Sequence, residues 1–171
     1  GGRAMGICGM DGGLIKAKKL IGEHDLGNVG EIIEVDASII RDNIDKGYIP
    51  VVSTVAYGDK DSPVYNINAD TAACRIAVAL GASNFMLLTD TLGVMRDPKD
   101  ESTLIPEIRL DEVQTLIDDG VISGGMIPKV ECCVEAVMGG INHTVILDGR
   151  IPHSILIEML SDEGIGTLFK K

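Results

Sequence analysis

The sequence predicts an α/β fold, a three-layer αβα sandwich with a mostly parallel central sheet, and three observations predict it. Short apolar, β-branched runs alternate along the chain with segments whose apolar residues recur at helical spacing. Glycine-containing turns separate the two kinds of segment. The 171 residues are 45% hydrophobic, enough for one domain of ordinary size with a sizeable core. No internal repeat, low-complexity tract or linker interrupts this pattern, so residues 1–171 are expected to form a single domain.

The first apolar run, Ala4-Met5-Gly6-Ile7-Cys8, predicts a strand that breaks at Gly9-Met10-Asp11-Gly12-Gly13. Segments 14–20 and 30–36 follow as two extended stretches forming an edge of the domain, joined by a polar link that ends in Gly27-Asn28-Val29-Gly30. Ile39, Ile40 and Ile44 predict a helix over 38–46, with Gly47 where a helix commonly ends. The continuous run 49–55 suits a strand covered on both faces by helices. A polar turn over 58–63 closes it, with Asp59 and Asp61 on a solvated surface.

Ala73, Ile76, Ala77 and Leu80 define the inner face of a helix over 70–80, and a strand over 84–89 comes next. Helices are predicted over 111–118, 128–138 and 153–160, and a strand over 144–147. Pro128 suits a first helical position, and Val130, Cys133, Val134 and Val137 make the stripe that helix buries. On such a sheet ligands collect beyond the carboxyl ends of the strands, which directs attention to the loops after Val55, Thr89 and Leu147.

Composition excludes several functions. A net charge of −11, with no concentration of Lys and Arg, argues against a nucleic-acid partner and against an anionic membrane surface. With no Trp, three Tyr and two Phe there is no aromatic set for stacking bases. Cys8, Cys74, Cys132 and Cys133 have neither metal-ligand spacing nor the density of a disulfide scaffold, so reduced thiols in a cytoplasmic protein are expected. His24, His143 and His153 form no triad and Ser53 and Ser154 lack a nucleophile elbow, which leaves them structural. No metal site is expected from the spacing of the acids.

Three clusters remain. Asn66-Ile67-Asn68-Ala69-Asp70 stands at the mouth of a helix, where it either caps free N–H groups or grips a substrate carboxylate while Asp70 orients a cation. Thr89-Asp90-Thr91-Leu92-Gly93-Val94 is a polar elbow after a strand, either a plain turn or a nucleotide contact. In Ser123-Gly124-Gly125-Met126-Ile127-Pro128-Lys129 glycines precede a lysine near a helix start. A cation is unfavourable there unless something negative such as phosphate lies beside it, and a solvated surface lysine is the plainer alternative. The spacing is not that of a Walker A loop.

Taken in order, these clusters resemble the amino-acid-kinase family, and within it the branch that phosphorylates N-acetylglutamate. The resemblance runs over nearly the whole chain. It takes in Gly9 to Gly13 with Leu14-Ile15-Lys16-Ala17, then Gly27-Asn28-Val29-Gly30-Glu31 and the three clusters, and it ends with Asp148-Gly149-Arg150 and Gly164-Ile165-Gly166-Thr167. It implies ATP with Mg2+ as phosphoryl donor and N-acetyl-L-glutamate as acceptor. By resemblance Asn66 and Asn68 would bind the acceptor, Asp70 would orient the catalytic lysines, and Lys129 would stabilise the phosphoryl group in flight. Asp90, Thr91, Leu92, Gly93, Val94 and Met95, with Val121, Ile122, Ser123, Gly124 and Gly125, would line the nucleotide site.

The family also carries an amino-terminal lobe with a second lysine near a Gly-Gly pair. Gly1-Gly2 stands too close to the first strand for that part, so the chain is expected to be the carboxyl-terminal, ATP-binding lobe and to be inactive alone. Residues 156–167 resemble the stretch of arginine-inhibited members. That implies L-arginine as inhibitor at Glu158, Ser161, Gly164 and Gly166, a homo-oligomer with a hexamer as the associated assembly, and a nitrogen-regulatory protein as a partner. The alternative for the same stretch is an amphipathic last helix with an exposed Glu158, followed by an edge strand.

Overall fold

The computed structural model describes residues 1–58, 64–161 and 164–171. The Asp59 and Asp61 turn expected over 58–63, and residues 162 and 163 of the arginine-type stretch, fall largely or wholly outside the described residues. The chain divides into two compact units, Gly1–Leu80 and Gly81–Lys171, each taken here by itself.

In the first unit the Ala4–Cys8 strand, β1, forms as predicted. β2 (Ile15–Lys19) and β3 (Gly30–Val35) run antiparallel, with a bulge between Lys16 and Ala17. Helix α1 (Ser38–Asp45) leads into β4 (Ile49–Ser53), which pairs in parallel with β1. The apolar run then breaks at Thr54. Its last residues become β5 (Val55–Tyr57), which pairs in parallel with β2 and antiparallel with β6 (Val64–Asn66), giving the order β3-β2-β5-β6. Helix α2 (Ala69–Leu80) ends the unit.

Leu14, Ile15, Ala17, Ala56 and Tyr65, all fully buried, form the core with Ile40 and Ala72. Two expectations are corrected. Residues 49–53 are not covered on both faces: Ile49 and Val51 are each 58% exposed, while Pro50 and Val52, on the opposite face, are partly buried and Val52 packs against the core. β2 and β3 lie at one side of their sheet as expected, with β3 outermost and β5 on the other side of β2. On α2 Ala72, Cys74 and Ala77 are buried and Ile76 and Leu80 pack against the core, so of the expected face only Ala73 points to solvent.

The second unit holds β7 (Asn84–Thr89), β8 (Glu107–Arg109), β9 (His143–Asp148) and β10 (Thr167–Lys170) in the order β7-β9-β10-β8. Neighbours β7 and β9 are parallel, β9 and β10 antiparallel, and β10 and β8 parallel. Four of the seven strand pairings among the described residues are parallel, so the α/β, parallel-rich expectation holds.

Helices α3 (Val113–Asp118), α4 (Met126–Met138) and α5 (Ser154–Leu160) accompany this sheet. From α4, Val130, Cys133 and Val137 are buried as expected and Val134 partly so. Pro128 is the third residue of α4 and not the first. The position tolerates it because no N–H in the first turn has an intrahelical acceptor.

Strand β8 carries too short an apolar signal to be read from three residues. In the closing segment the alternative of an exposed Glu158 followed by an edge strand is not what forms. β10 lies inside the sheet, with Thr167 and Phe169 fully buried, and Glu158 is buried while Ile155, Leu156 and Leu160 of the same helix are exposed. Gly166 permits this packing, since a Cβ there would stand 2.4 Å from the Ile146 carbonyl oxygen. All four cysteines are free thiols, with Cys74, Cys132 and Cys133 buried and Cys8 half-buried. Among the described residues no helix is long and apolar enough to cross a membrane.

Candidate functional site

In the first unit the 66–70 cluster caps α2. The Asn68 Oδ1 accepts hydrogen bonds from the backbone N–H groups of Asp70 (2.9 Å) and Thr71 (3.1 Å), the arrangement of an N-cap. Asp70, in the first helical turn and half-buried, puts a negative charge where the helix dipole favours one. Asn66 ends β6. Its backbone N–H donates to the Asn28 carbonyl (2.8 Å) and the residue is exposed. The cap that composition suggests is therefore formed by Asn68, and Asn66 is the amide left facing outward.

In the second unit the polar elbow is a tied turn. Thr91 N–H donates to Thr89 Oγ1 (3.0 Å), whose hydroxyl donates to the Thr91 carbonyl (2.9 Å). Val94 N–H donates to Thr167 Oγ1 (2.9 Å), and that hydroxyl donates to the Ile105 carbonyl (2.7 Å). A side chain at Gly93 would meet Thr167 Oγ1 at 2.5 Å. Val94 and Ile122 are 1% exposed, so their side chains belong to the core and only their backbone is placed to line a ligand. Asp90, Ser123, Gly124 and Gly125 are exposed, while Thr91, Leu92, Met95 and Val121 are half-buried. Thr167, which anchors this loop, was not among the candidate residues, although the Gly-Ile-Gly-Thr run that contains it was conspicuous.

Gly124 has φ +54°, a left-handed value that starts the turn into α4. Lys129 is half-buried in the beginning of that helix. The short link over 139–142 folds α4 back along β9. Both elements are about 20 Å long, so the N-terminus of α4 lies toward the carboxyl end of β9, beside the end of β7. Strand ends, a helix N-terminus and a lysine thus collect on one edge of the second unit, an arrangement suited to a phosphate chain.

Two buried carboxylates flank β9. Asp148 ends the strand and is bound by Arg150, whose Nη2 is 2.7 Å and Nε 3.0 Å from its two oxygens and whose N–H adds a third contact at 2.8 Å. These side-chain and backbone hydrogen bonds hold the Asp148 carboxyl below the usual carboxylate range. Glu158 accepts a hydrogen bond from Ile165 N–H (2.8 Å), with His143 Nε2 at 3.4 Å and Gly164 against its oxygens. Of the other arginine-type residues, Ser161 donates its hydroxyl to the Ile157 carbonyl and Gly166 is enclosed by β9.

Among the described residues no group of three or more His, Cys, Asp or Glu is arranged to hold a metal ion. A cavity of about 360 Å3 between β8 and α3, lined by Ile108, Glu112 and Leu116 among others, contains none of the candidate residues.

Residues 1–148, most of both units, match the amino acid kinase family. The chain belongs to this family. It is 57% identical over 168 residues to the acetylglutamate kinase of Clostridium beijerinckii, a match covering 98% of the chain and 59% of that relative. The acetylglutamate kinase of Heliobacterium modesticaldum is 50% identical, over 100% of the chain and 61% of its own length. Among solved structures, smu.665 from Streptococcus mutans superposes with a TM-score of 0.80 at 27% identity, covering 99% of the chain and 61% of that protein. The chain spans about three-fifths of the length of the relatives it matches.

Proposed function

We propose that the chain is the nucleotide-binding part of an acetylglutamate kinase, which transfers the γ-phosphoryl group of ATP to the side-chain carboxylate of N-acetyl-L-glutamate. The observation that carries this reading is the 57% identity to an acetylglutamate kinase over almost the entire chain. The edge formed by the ends of β7 and β9 and the start of α4 supports it.

In the reaction a carboxylate oxygen of the acceptor attacks the γ-phosphorus while the bond to the β-phosphate oxygen breaks, giving an acyl phosphate and ADP. The protein's task is alignment and charge neutralisation. The Lys129 ammonium supplies positive charge to the migrating phosphoryl group, and the loops over 91–95 and 121–125 line the nucleotide. Asn66 meets the acceptor, and Asp70 holds a catalytic cation in place. Magnesium enters as part of the Mg-ATP substrate, carried by the phosphates.

The second element of the proposal is inhibition by L-arginine at Glu158. Glu158 is a buried carboxylate with the His143 imidazole 3.4 Å away, and a carboxylate suits a guanidinium. The acting enzyme is a homo-oligomer that includes the acceptor-binding lobe. The test is ADP release from Mg-ATP by the full-length protein, with N-acetylglutamate, acetylaminoadipate and glutamate compared, with and without arginine. Turnover confined to acetylglutamate and suppressed by arginine is expected. Turnover with acetylaminoadipate instead reassigns the acceptor, and turnover indifferent to arginine removes the inhibition.

A further inference from the structure

The Asp148-Gly149-Arg150 turn has no part in the function proposed above, yet it stands on the same edge of the sheet. β7 and β9 are paired in parallel up to their last residues, with Thr89 opposite Asp148. Past that pair the two chains stay joined, because Gly149 N–H donates to the Thr89 carbonyl (2.9 Å). A Cβ on Gly149 would press on the Leu88 side chain at 3.1 Å, so the strand ends touch closely there. Arg150 therefore emerges one residue beyond the closest approach, on the side where β7 continues into Asp90.

The arginine is fixed before any ligand arrives. Asp148, 4% exposed at its side chain, receives Nε, Nη2 and the backbone N–H of Arg150. None of these contacts uses Nη1, and the Arg150 side chain is 67% exposed. A guanidinium clamped along one edge presents its remaining donors in a set direction, which lowers the entropy lost on binding a ligand. Asp90 and Glu101 lie near enough for their charges to favour the cation further. Those same carboxylates would repel a polyphosphate, so an anion on this edge needs a fixed positive charge among them.

Building on the nucleotide site assigned above, we propose that Arg150 is a nucleotide-binding residue, its free guanidinium donors contacting the phosphate chain of a nucleoside triphosphate at the ends of β7 and β9. Lys129 serves the transferring phosphoryl group from α4; Arg150 serves the phosphates that stay with the nucleotide. The Asp148 pair makes Arg150 a rigid donor, and the planar fork makes it selective for phosphate oxygens.

The experiment uses the full-length protein with Arg150→Gln and Arg150→Lys. Calorimetry reads the affinity for a non-hydrolysable ATP analogue, for ADP and for adenosine, and steady-state kinetics read KM for each substrate. With Arg150→Gln, affinity for the analogue and for ADP is expected to fall about 10- to 100-fold. Adenosine affinity and KM for the acceptor change less than twofold. Arg150→Lys keeps the ion pair with Asp148 and recovers part of the loss. ATP and ADP affinities within twofold of the unsubstituted protein overturn the proposal, as does a loss shared equally by adenosine and the acceptor with a lowered melting temperature, the mark of a purely structural staple. A protein that binds the ATP analogue but turns over none of the acceptors sinks the acetylglutamate reading and leaves this one to be decided by the calorimetry.

Discussion

Strands β4 and β9 are close in length, both rich in β-branched residues, and lie in opposite environments. β9 has a neighbour on each edge and α4 against its face, so five of its six residues are buried. β4 has a neighbour on one edge only and exposes alternate residues. The strand whose carboxyl end carries the candidate phosphate edge is the one enclosed on all sides. Enclosure fixes the positions of Asp148, Arg150 and the start of α4 to a degree that the half-open β4 offers to nothing attached to it.

The contrast is open to measurement by urea unfolding of the substituted proteins. The largest effect is expected from Ile146→Ala, which empties a site with no exposure and lowers stability by about 2–5 kcal/mol. A loss below 1 kcal/mol would mean that β9 is not enclosed as described. Gly166→Ala forces a methyl group against the Ile146 carbonyl and is expected to lower stability by about 1–3 kcal/mol. An unchanged midpoint would show that β10 sits farther from β9.

Asn68→Ala removes the cap of α2 in the first unit, for about 1 kcal/mol, without disturbing β9. Asp148 adds a pH dependence. Its carboxyl lies below the ordinary range in the folded protein, so it binds protons more weakly folded than unfolded. Its contribution is present above the unfolded value near 4 and disappears as pH falls through the folded one. Asp148→Asn is expected to flatten the stability profile below about pH 4, and a profile equally steep in the variant would place the acid sensitivity elsewhere. The smallest effect belongs to Val51→Ser on the exposed face of β4, within about 0.5 kcal/mol.

Most elements were legible because their signals are local. Ile39, Ile40 and Ile44 mark α1 by their spacing, and the 84–89 and 144–147 runs mark β7 and β9. What the chain does not carry locally is which faces are covered. The runs at 49–53 and 144–147 look alike, and only pairing partners far away in sequence decide that Val51 meets water while Val145 does not. That Glu158 is buried was hidden for the same reason, since the N–H that draws it inward belongs to Ile165, seven residues on.

For the site, the Asn-Ile-Asn-Ala-Asp and Gly-Gly-Met-Ile-Pro-Lys clusters were visible by composition. The capping duty of Asn68 followed from its residue type, whereas the anchor supplied by Thr167 to Val94 spans 73 residues and leaves no local trace.

The place of β10 between β9 and β8 has a consequence for how the second unit is assembled. β8 pairs with β10 alone, across a separation of about 60 residues, and β10 in turn needs β9. Until β10 docks, β8 has no strand beside it and β9 has an open edge. Docking β10 therefore closes a loop of about 60 residues, at an entropic cost set by chain length. The edge of β9 that β10 covers is, without it, an unpaired strand edge of the kind that pairs with other chains.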